Sequence, residues 1–187
     1  MTLLQSHDAL CLLFYALALP KLLYFLRIAP CIGNNLLERF DNTLRQGLSS
    51  ILNAQLSDDQ WTHASLPVQM GGLGVRSALM LAPSSYLASA AATLLLQNDI
   101  LNDPSPTILD PYVGEAVDLW KAMAYREVPE APARSCQRIW DLRLASIVHQ
   151  DLLSTSVSEV DVARMKAAGD PHAGDLLNVP PTTAVGP

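Results

Sequence analysis

The sequence predicts an all-α fold, built as an irregular helical bundle. Three observations carry that expectation. Leu and Ala dominate a chain whose aromatic content is 6%, a composition that favours helices over a sandwich or barrel. Apolar residues recur at three- and four-residue steps in several stretches, the period of a helix with one buried face. Half of the 187 residues are hydrophobic and 16% are charged. That is too apolar for a disordered chain, and the length suffices to bury a core without staples.

The elements follow in order. A first helix is expected over residues 3–19. It is apolar almost all round, which implies burial on several sides. Pro20 has no backbone N–H and crowds the preceding turn, so the helix kinks or stops there. A second piece over 21–28 ends before Pro30. Asn34 or Asn35 caps the next helix, which runs to about Gln55. Its apolar positions are Leu36, Leu37, Phe40, Leu44, Leu48, Ile51 and Leu52, and Glu38, Arg39, Asp41, Asn42, Arg45 and Gln46 form the opposite face. Ser57-Asp58-Asp59-Gln60 reads as a capping box before a short helix containing Trp61.

Three glycines in four positions, Gly71, Gly72 and Gly74, then mark a loop that needs positive φ or close backbone approach. Helix resumes over 77–97 with Pro83 as a break, and 102–106 is a turn. Asp110 caps a helix that has Pro111 at its first position and runs to about Ala124. Pro129 and Pro132 make 128–133 a linker. An amphipathic stretch over 134–153 carries Cys136, Ile139, Trp140, Leu144, Ile147, Val148 and Leu152. Ser156-Val157-Ser158-Glu159 reads as a second capping box before a helix ending near Gly169. Residues 179–187 are expected to be a flexible end.

The net charge of −6 argues against a free-standing nucleic-acid binder. The charge is uneven, however. Residues 1–80 hold five basic groups and five acidic ones, whereas 81–187 hold seven basic and thirteen acidic. Any contact with a polyanion is therefore expected from the first half. Cys11, Cys31 and Cys136 form no CxxC pair, so neither a zinc site nor a disulfide framework is indicated. Buried thiols and an intracellular, reducing compartment are the simpler expectation. In the segment 9–32, Pro20, Lys21 and Arg27 interrupt the apolar run before it reaches the ~18 residues of a spanning helix. No Lys or Arg precedes it, as a secretory leader would require.

Few residues suggest chemistry. Gly71-Gly72-Leu73-Gly74 lacks both the GxGxxG spacing and the Lys-Ser/Thr of a phosphate-binding loop, so a structural turn is expected. His7, His63, His149 and His172 form no HExxH or HxxxH pair. His172, between Asp170 and Asp175, could do acid–base work, but Pro and Gly flank it and a solvated turn is the simpler reading. Asp58-Asp59 is the adjacent carboxylate pair that could hold magnesium beside a phosphate. It opens a helix, where acidic side chains complement the macrodipole. Ser65, Ser77 and Ser89 lack a GxSxG context. Trp61, Trp120 and Trp140 are expected in the core.

Several segments together resemble a known family. Ala18-Leu19-Pro20-Lys21-Leu22-Leu23-Tyr24-Phe25-Leu26-Arg27 resembles the stretch after the polymerase palm in reverse transcriptases of non-long-terminal-repeat retrotransposons. Ala64-Ser65-Leu66-Pro67-Val68-Gln69-Met70-Gly71-Gly72-Leu73-Gly74-Val75-Arg76-Ser77 is similar to that family's Pro-x-x-x-Gly-Gly-Leu-Gly segment. Trp140-Asp141 and Pro171-His172-Ala173-Gly174-Asp175 are similar to elements further downstream in some animal members.

The resemblance implies a thumb, a helical subdomain that packs beside the template–primer duplex and contacts its backbone. It implies a thumb-like region over 1–100 with the glycine loop at 66–76, a connecting helix over 101–127, a helical extension over 128–178 and a tail over 179–187. Lys21, Arg27, Arg39, Arg45 and Arg76 are the implied phosphate contacts, although for any one of them an ordinary surface charge is the simpler reading. Gly71, Gly72 and Gly74 would shape the loop beside the duplex.

The departures limit what is implied. The family's aromatic-x-Asp-Asp signature is absent, since Asp58-Asp59 follows Leu56-Ser57. Fingers and palm have no counterpart. Two-metal phosphoryl transfer needs fixed carboxylates that the sequence does not supply. The expectation is thus a non-catalytic fragment with no cofactor, no metal and no small-molecule substrate. Its partner would be an RNA–DNA or RNA duplex. The alternatives are self-association or protein docking through the apolar segment 9–28, or membrane association through residues 3–28, which the interrupted apolar run makes the weakest of the three.

Overall fold

The computed structural model describes residues 6–17, 19–102, 111–130, 133–156 and 158–178. The fold is all-α, with no strand among the described residues. In chain order the helices are α1 (Ser6–Leu12), α2 (Leu19–Ile28), α3 (Asn35–Leu52), α4 (Asp58–Ser65), α5 (Ala78–Leu101), α6 (Pro111–Ala124), α7 (Gln137–Thr155), α8 (Glu159–Ala168) and α9 (Asp175–Asn178). A π-helical turn over Leu13–Leu17 continues α1, and short 3₁₀ turns lie at Val68–Met70 and Ala133–Ser135. The tail over 179–187, the turn over 103–106 and the cap at Asp110 lie outside the described residues.

The chain forms two compact units. Unit 1 comprises Met1–Lys21, Arg39–Ser77 and Val148–Pro187, and unit 2 comprises Leu22–Glu38 and Ala78–Ile147. The core of unit 1 holds Leu13, Leu44, Leu48, Ala64 and Val75, with Leu10, Phe40, Ile51, Leu56, Trp61 and Leu73 packed around them. These residues come from the end of α1 and its π turn, α3, α4 and the loops that flank α4. The core of unit 2 is built by Tyr86, Leu87, Ala88, Ala116, Trp120, Ala124, Trp140 and Leu144. There the indoles of Trp120 and Trp140 meet edge to face, 4.9 Å between centroids, a favoured quadrupole arrangement. The Trp140 Nε1–H donates to the Arg134 carbonyl at 2.8 Å. Both tryptophans are buried and Trp61 is half-buried, as the sequence predicts.

Capping explains where several helices start. Asn34 Oδ1 accepts from the Leu36 N–H at 2.9 Å, which makes Asn34 the cap of α3. The capping box at α4 is complete: the Gln60 N–H donates to Ser57 Oγ at 3.2 Å, and the Ser57 N–H donates to Gln60 Oε1 at 2.9 Å. At α8 the cap differs from the expected serine. Ser158 Oγ accepts from the Asp161 N–H at 3.3 Å, while the Ser156 N–H is still bonded to the Leu152 carbonyl and so belongs to the end of α7.

Of two prolines expected to interrupt helices, one departs from the local expectation. Pro20 sits at the second residue of α2, within the first turn, where a missing N–H costs nothing. At Pro83 the sequence predicts a break, yet α5 runs through it. Leu81, Ala82, Ser84, Ser85, Tyr86, Leu87 and Ala88 around it are all buried, so packing on every side offsets the lost helical hydrogen bond. The first helix also departs from expectation. Leu13 is buried, but Leu12, Tyr15 and Leu17 are exposed, because unit 1 covers one face of this segment and leaves the others open.

The three cysteines are free thiols. Cys11 and Cys31 are half-buried, and burial pushes the Cys31 thiol above its usual range. Cys136 is exposed rather than buried, since it precedes α7 in a turn closed by its N–H to the Ala133 carbonyl.

Candidate nucleic-acid interface

The glycine loop is knitted into unit 1 by backbone hydrogen bonds. The Leu73 N–H donates to the Ala64 carbonyl and the Gly74 N–H to the Leu66 carbonyl, both at 3.0 Å. Gly71 takes φ +81° and Gly74 φ +72°, the left-handed region that disfavours a side chain. Space is refused as well. A Cβ on Gly72 would meet the Leu66 carbonyl oxygen at 2.1 Å, and one on Gly74 would meet Phe14 Cε2 at 2.5 Å. A Cβ on Gly71 would lie 3.0 Å from Ala168 Cβ of α8. Close approach and positive φ thus both occur, and the surfaces pressed against these glycines belong to the protein itself.

The five cations have different surroundings. Lys21 and Arg39 are exposed. Arg27 donates from Nε and Nη2 to Gln137 Oε1 at 3.2 and 3.0 Å, and Gln137 Nε2 donates to Ser85 Oγ at 2.9 Å. That relay joins α2, α7 and α5 within unit 2. Arg45 is committed within unit 1: Nη1 reaches Asp58 Oδ1 at 2.6 Å, and Nε donates to the Leu56 carbonyl at 3.2 Å. Arg76, at the end of the glycine loop, is half-buried. Asp58 therefore both opens α4 and anchors Arg45. Among the described residues no group of three or more His, Cys, Asp or Glu side chains could hold a metal ion.

One member of the expected polar face of α3 lies elsewhere. Asp41 is buried and accepts a 2.6 Å hydrogen bond from the Ser77 hydroxyl. The reason is its register. It falls four residues after Leu37 and three before Leu44, on the buried stripe rather than opposite it. Leu36 and Leu52, expected on the apolar face, are exposed: Leu36 lies one residue off the stripe, and Leu52 is the last residue of α3.

Some of the polar residues of α3, though not Glu38, Arg39 or Thr43, line an open groove of about 710 Å³ on unit 1. Asn42, Arg45, Gln46, Ser49 and Ser50 form its α3 wall, and Asn53, Ala54, Gln55 and Leu56, just past the helix, close its end. The sequence pattern places Asn42, Arg45 and Gln46 on this face. It does not single out Ser49 and Ser50, which continue the face at helical spacing, or Asn53, which follows the helix with φ +51°. Arg39 heads the same stripe, three residues before Asn42. From Arg39 to Ser50 the stripe is about 17 Å long at the helical rise.

His63 and His149 both belong to unit 1, on α4 and on the C-terminal part of α7. Burial, and then the neighbouring His149, hold the His63 imidazole below the ordinary histidine range. At the far end of the chain the His172 Nδ1 lies 2.9 Å from Asp175 Oδ2, both side chains exposed, so this pair sits in a solvated turn.

Compared with family models, with curated proteins and with solved structures, the chain matches none.

Proposed function

We propose that this chain is a non-catalytic helical module that grips an RNA–DNA duplex by its backbone, with the outer face of α3 as its contact surface. The observation that supports the reading is the polar groove along α3. Its wall of Asn, Gln, Ser and Arg side chains offers hydrogen-bond donors and no carboxylate. Donors of this kind bond phosphate and sugar oxygens and fix a protein on a duplex without reading bases. Lys21 and Arg39, both exposed in unit 1, supply charge that phosphates would neutralise. Arg45 holds the Leu56–Asp58 end of the groove in shape, and Arg27 and the three glycines act through the fold. The resemblance to a retrotransposon reverse-transcriptase thumb points the same way.

The test is the anisotropy of a labelled RNA–DNA hybrid titrated with the chain across a salt series. Binding that weakens steeply with salt supports the proposal, and no binding by a folded chain removes it.

A second reading has its own observation. Tyr24, Phe25 and Ile28 of α2 are 64%, 55% and 57% exposed, and Leu12, Tyr15 and Leu17 are about as open. Apolar exposure on this scale marks association surfaces. Self-association through 9–28 would appear as a concentration-dependent increase in mass by sedimentation, with no affinity for the hybrid. Two stretches, Ser6–Ile28 and Ala78–Ile100, are also long and apolar enough to cross a membrane by length and composition. The second carries the buried centre of unit 2, as a core helix does.

A further inference from the structure

His63 and His149 share an unusual state. Each is a partly buried imidazole in unit 1, and each has its Nε2 atom sealed from solvent with no hydrogen-bond partner among the described residues. A sealed ring nitrogen without a partner is tolerable on a neutral imidazole and costly on a charged one, because the charged form loses its hydration. After burial, the neighbouring His149 is the second cause that lowers His63, since a proton on one ring disfavours a proton on the other. The nearest carboxylates along α4, Asp58 and Asp59, are exposed in its first turn, and Arg45 already holds Asp58.

The position of His63 matters for the rest of unit 1. Its carbonyl accepts from the Leu66 N–H at 3.1 Å and lies where a Cβ on Gly72 would come within 2.8 Å. The adjacent Ala64 is a core residue whose carbonyl accepts from the Leu73 N–H. A shift of His63 therefore reaches the glycine loop directly.

We propose that His63 and His149 form an acid-sensitive latch in unit 1: His63 is seated neutral beside His149, and proton uptake at His63 loosens α4 and the glycine loop joined to it. The sign follows from linkage. The unfolded chain takes up a proton at His63 near the ordinary value of 6.5, and the folded chain does so at lower pH. Between those values the unfolded state binds more protons, so stability falls as pH drops below 6.5 and is fully present above it. One such group changes the folding equilibrium constant by up to about tenfold per pH unit within that window.

The experiment pairs a proton-NMR titration of the histidine rings in the whole chain with urea denaturation at several pH values. His63 is expected to titrate below the ordinary range in the wild type and to move up towards it in His149→Gln. The wild-type stability is expected to drop on acidification, and His63→Gln to flatten that drop. His172→Gln, at an exposed turn, is expected to leave it unchanged. If His63 titrates at its ordinary value, if His149→Gln does not move it, or if the acid sensitivity follows His172, the latch is overturned. The NMR titration decides even where His63→Gln fails to fold.

Discussion

The Ser77 hydroxyl donates a 2.6 Å hydrogen bond to the Asp41 carboxylate inside unit 1, joining the buried stripe of α3 to the exit of the glycine loop. Both residues are buried. Ser77→Ala leaves a buried carboxylate with one donor fewer, and the cost of such a loss is about 1–3 kcal/mol. Urea denaturation should show a lower midpoint with an unchanged slope. An unchanged midpoint would mean that the bond contributes nothing to the fold.

The glycines make a graded series. Gly72→Ala drives a methyl into a backbone carbonyl, and Gly74→Ala combines positive φ with a clash against Phe14. Both are expected to destabilise by more than the ~1 kcal/mol of an unstrained glycine change. Gly114, inside α6, would carry a Cβ with no neighbour within 4 Å, on an ordinary helical backbone. Gly114→Ala is expected to stabilise by about 0.5–1 kcal/mol, the helical preference of Ala over Gly. Thermal melts of the three variants rank them directly.

In unit 2, Trp120→Ala removes a fully buried indole and one half of the edge-to-face pair. The expected loss is about 3–5 kcal/mol, as for other large core truncations. Trp140→Phe keeps an aromatic ring but loses the 2.8 Å bond to the Arg134 carbonyl. It should cost less than Trp120→Ala, and chemical denaturation of both variants checks the order.

Much of this architecture is legible in the sequence because local signals and burial agree. The α3 stripe around Leu44 and Leu48, the cap at Asn34 and the Ser57–Gln60 box all follow from spacing and side-chain chemistry. The glycine loop is legible as a turn, but which surface presses on each glycine is not, because Phe14 and Ala168 come from distant parts of the chain. Pro83 misleads for the same reason, since tertiary burial decides its conformation. Asp41 is readable by register, three and four residues from Leu44 and Leu37, but its residue type suggests solvent. The groove is half legible: Asn42 and Gln46 stand out as polar, whereas Ser49, Ser50 and Asn53 become a surface only once the helix end and the Gln55–Leu56 turn enclose them.

The central claim is that the α3 face of unit 1 holds a duplex backbone, and the salt dependence of hybrid binding tests it most directly. The wild-type chain should show a linear fall of log affinity with log salt concentration. In Arg39→Ala and Lys21→Ala that slope should decrease by about 1 for each phosphate contact removed. Asn42→Ala combined with Gln46→Ala should weaken binding with the slope unchanged. A folded chain whose slope is the same in Arg39→Ala, Lys21→Ala and wild type, or which does not bind the hybrid at all, would contradict the account.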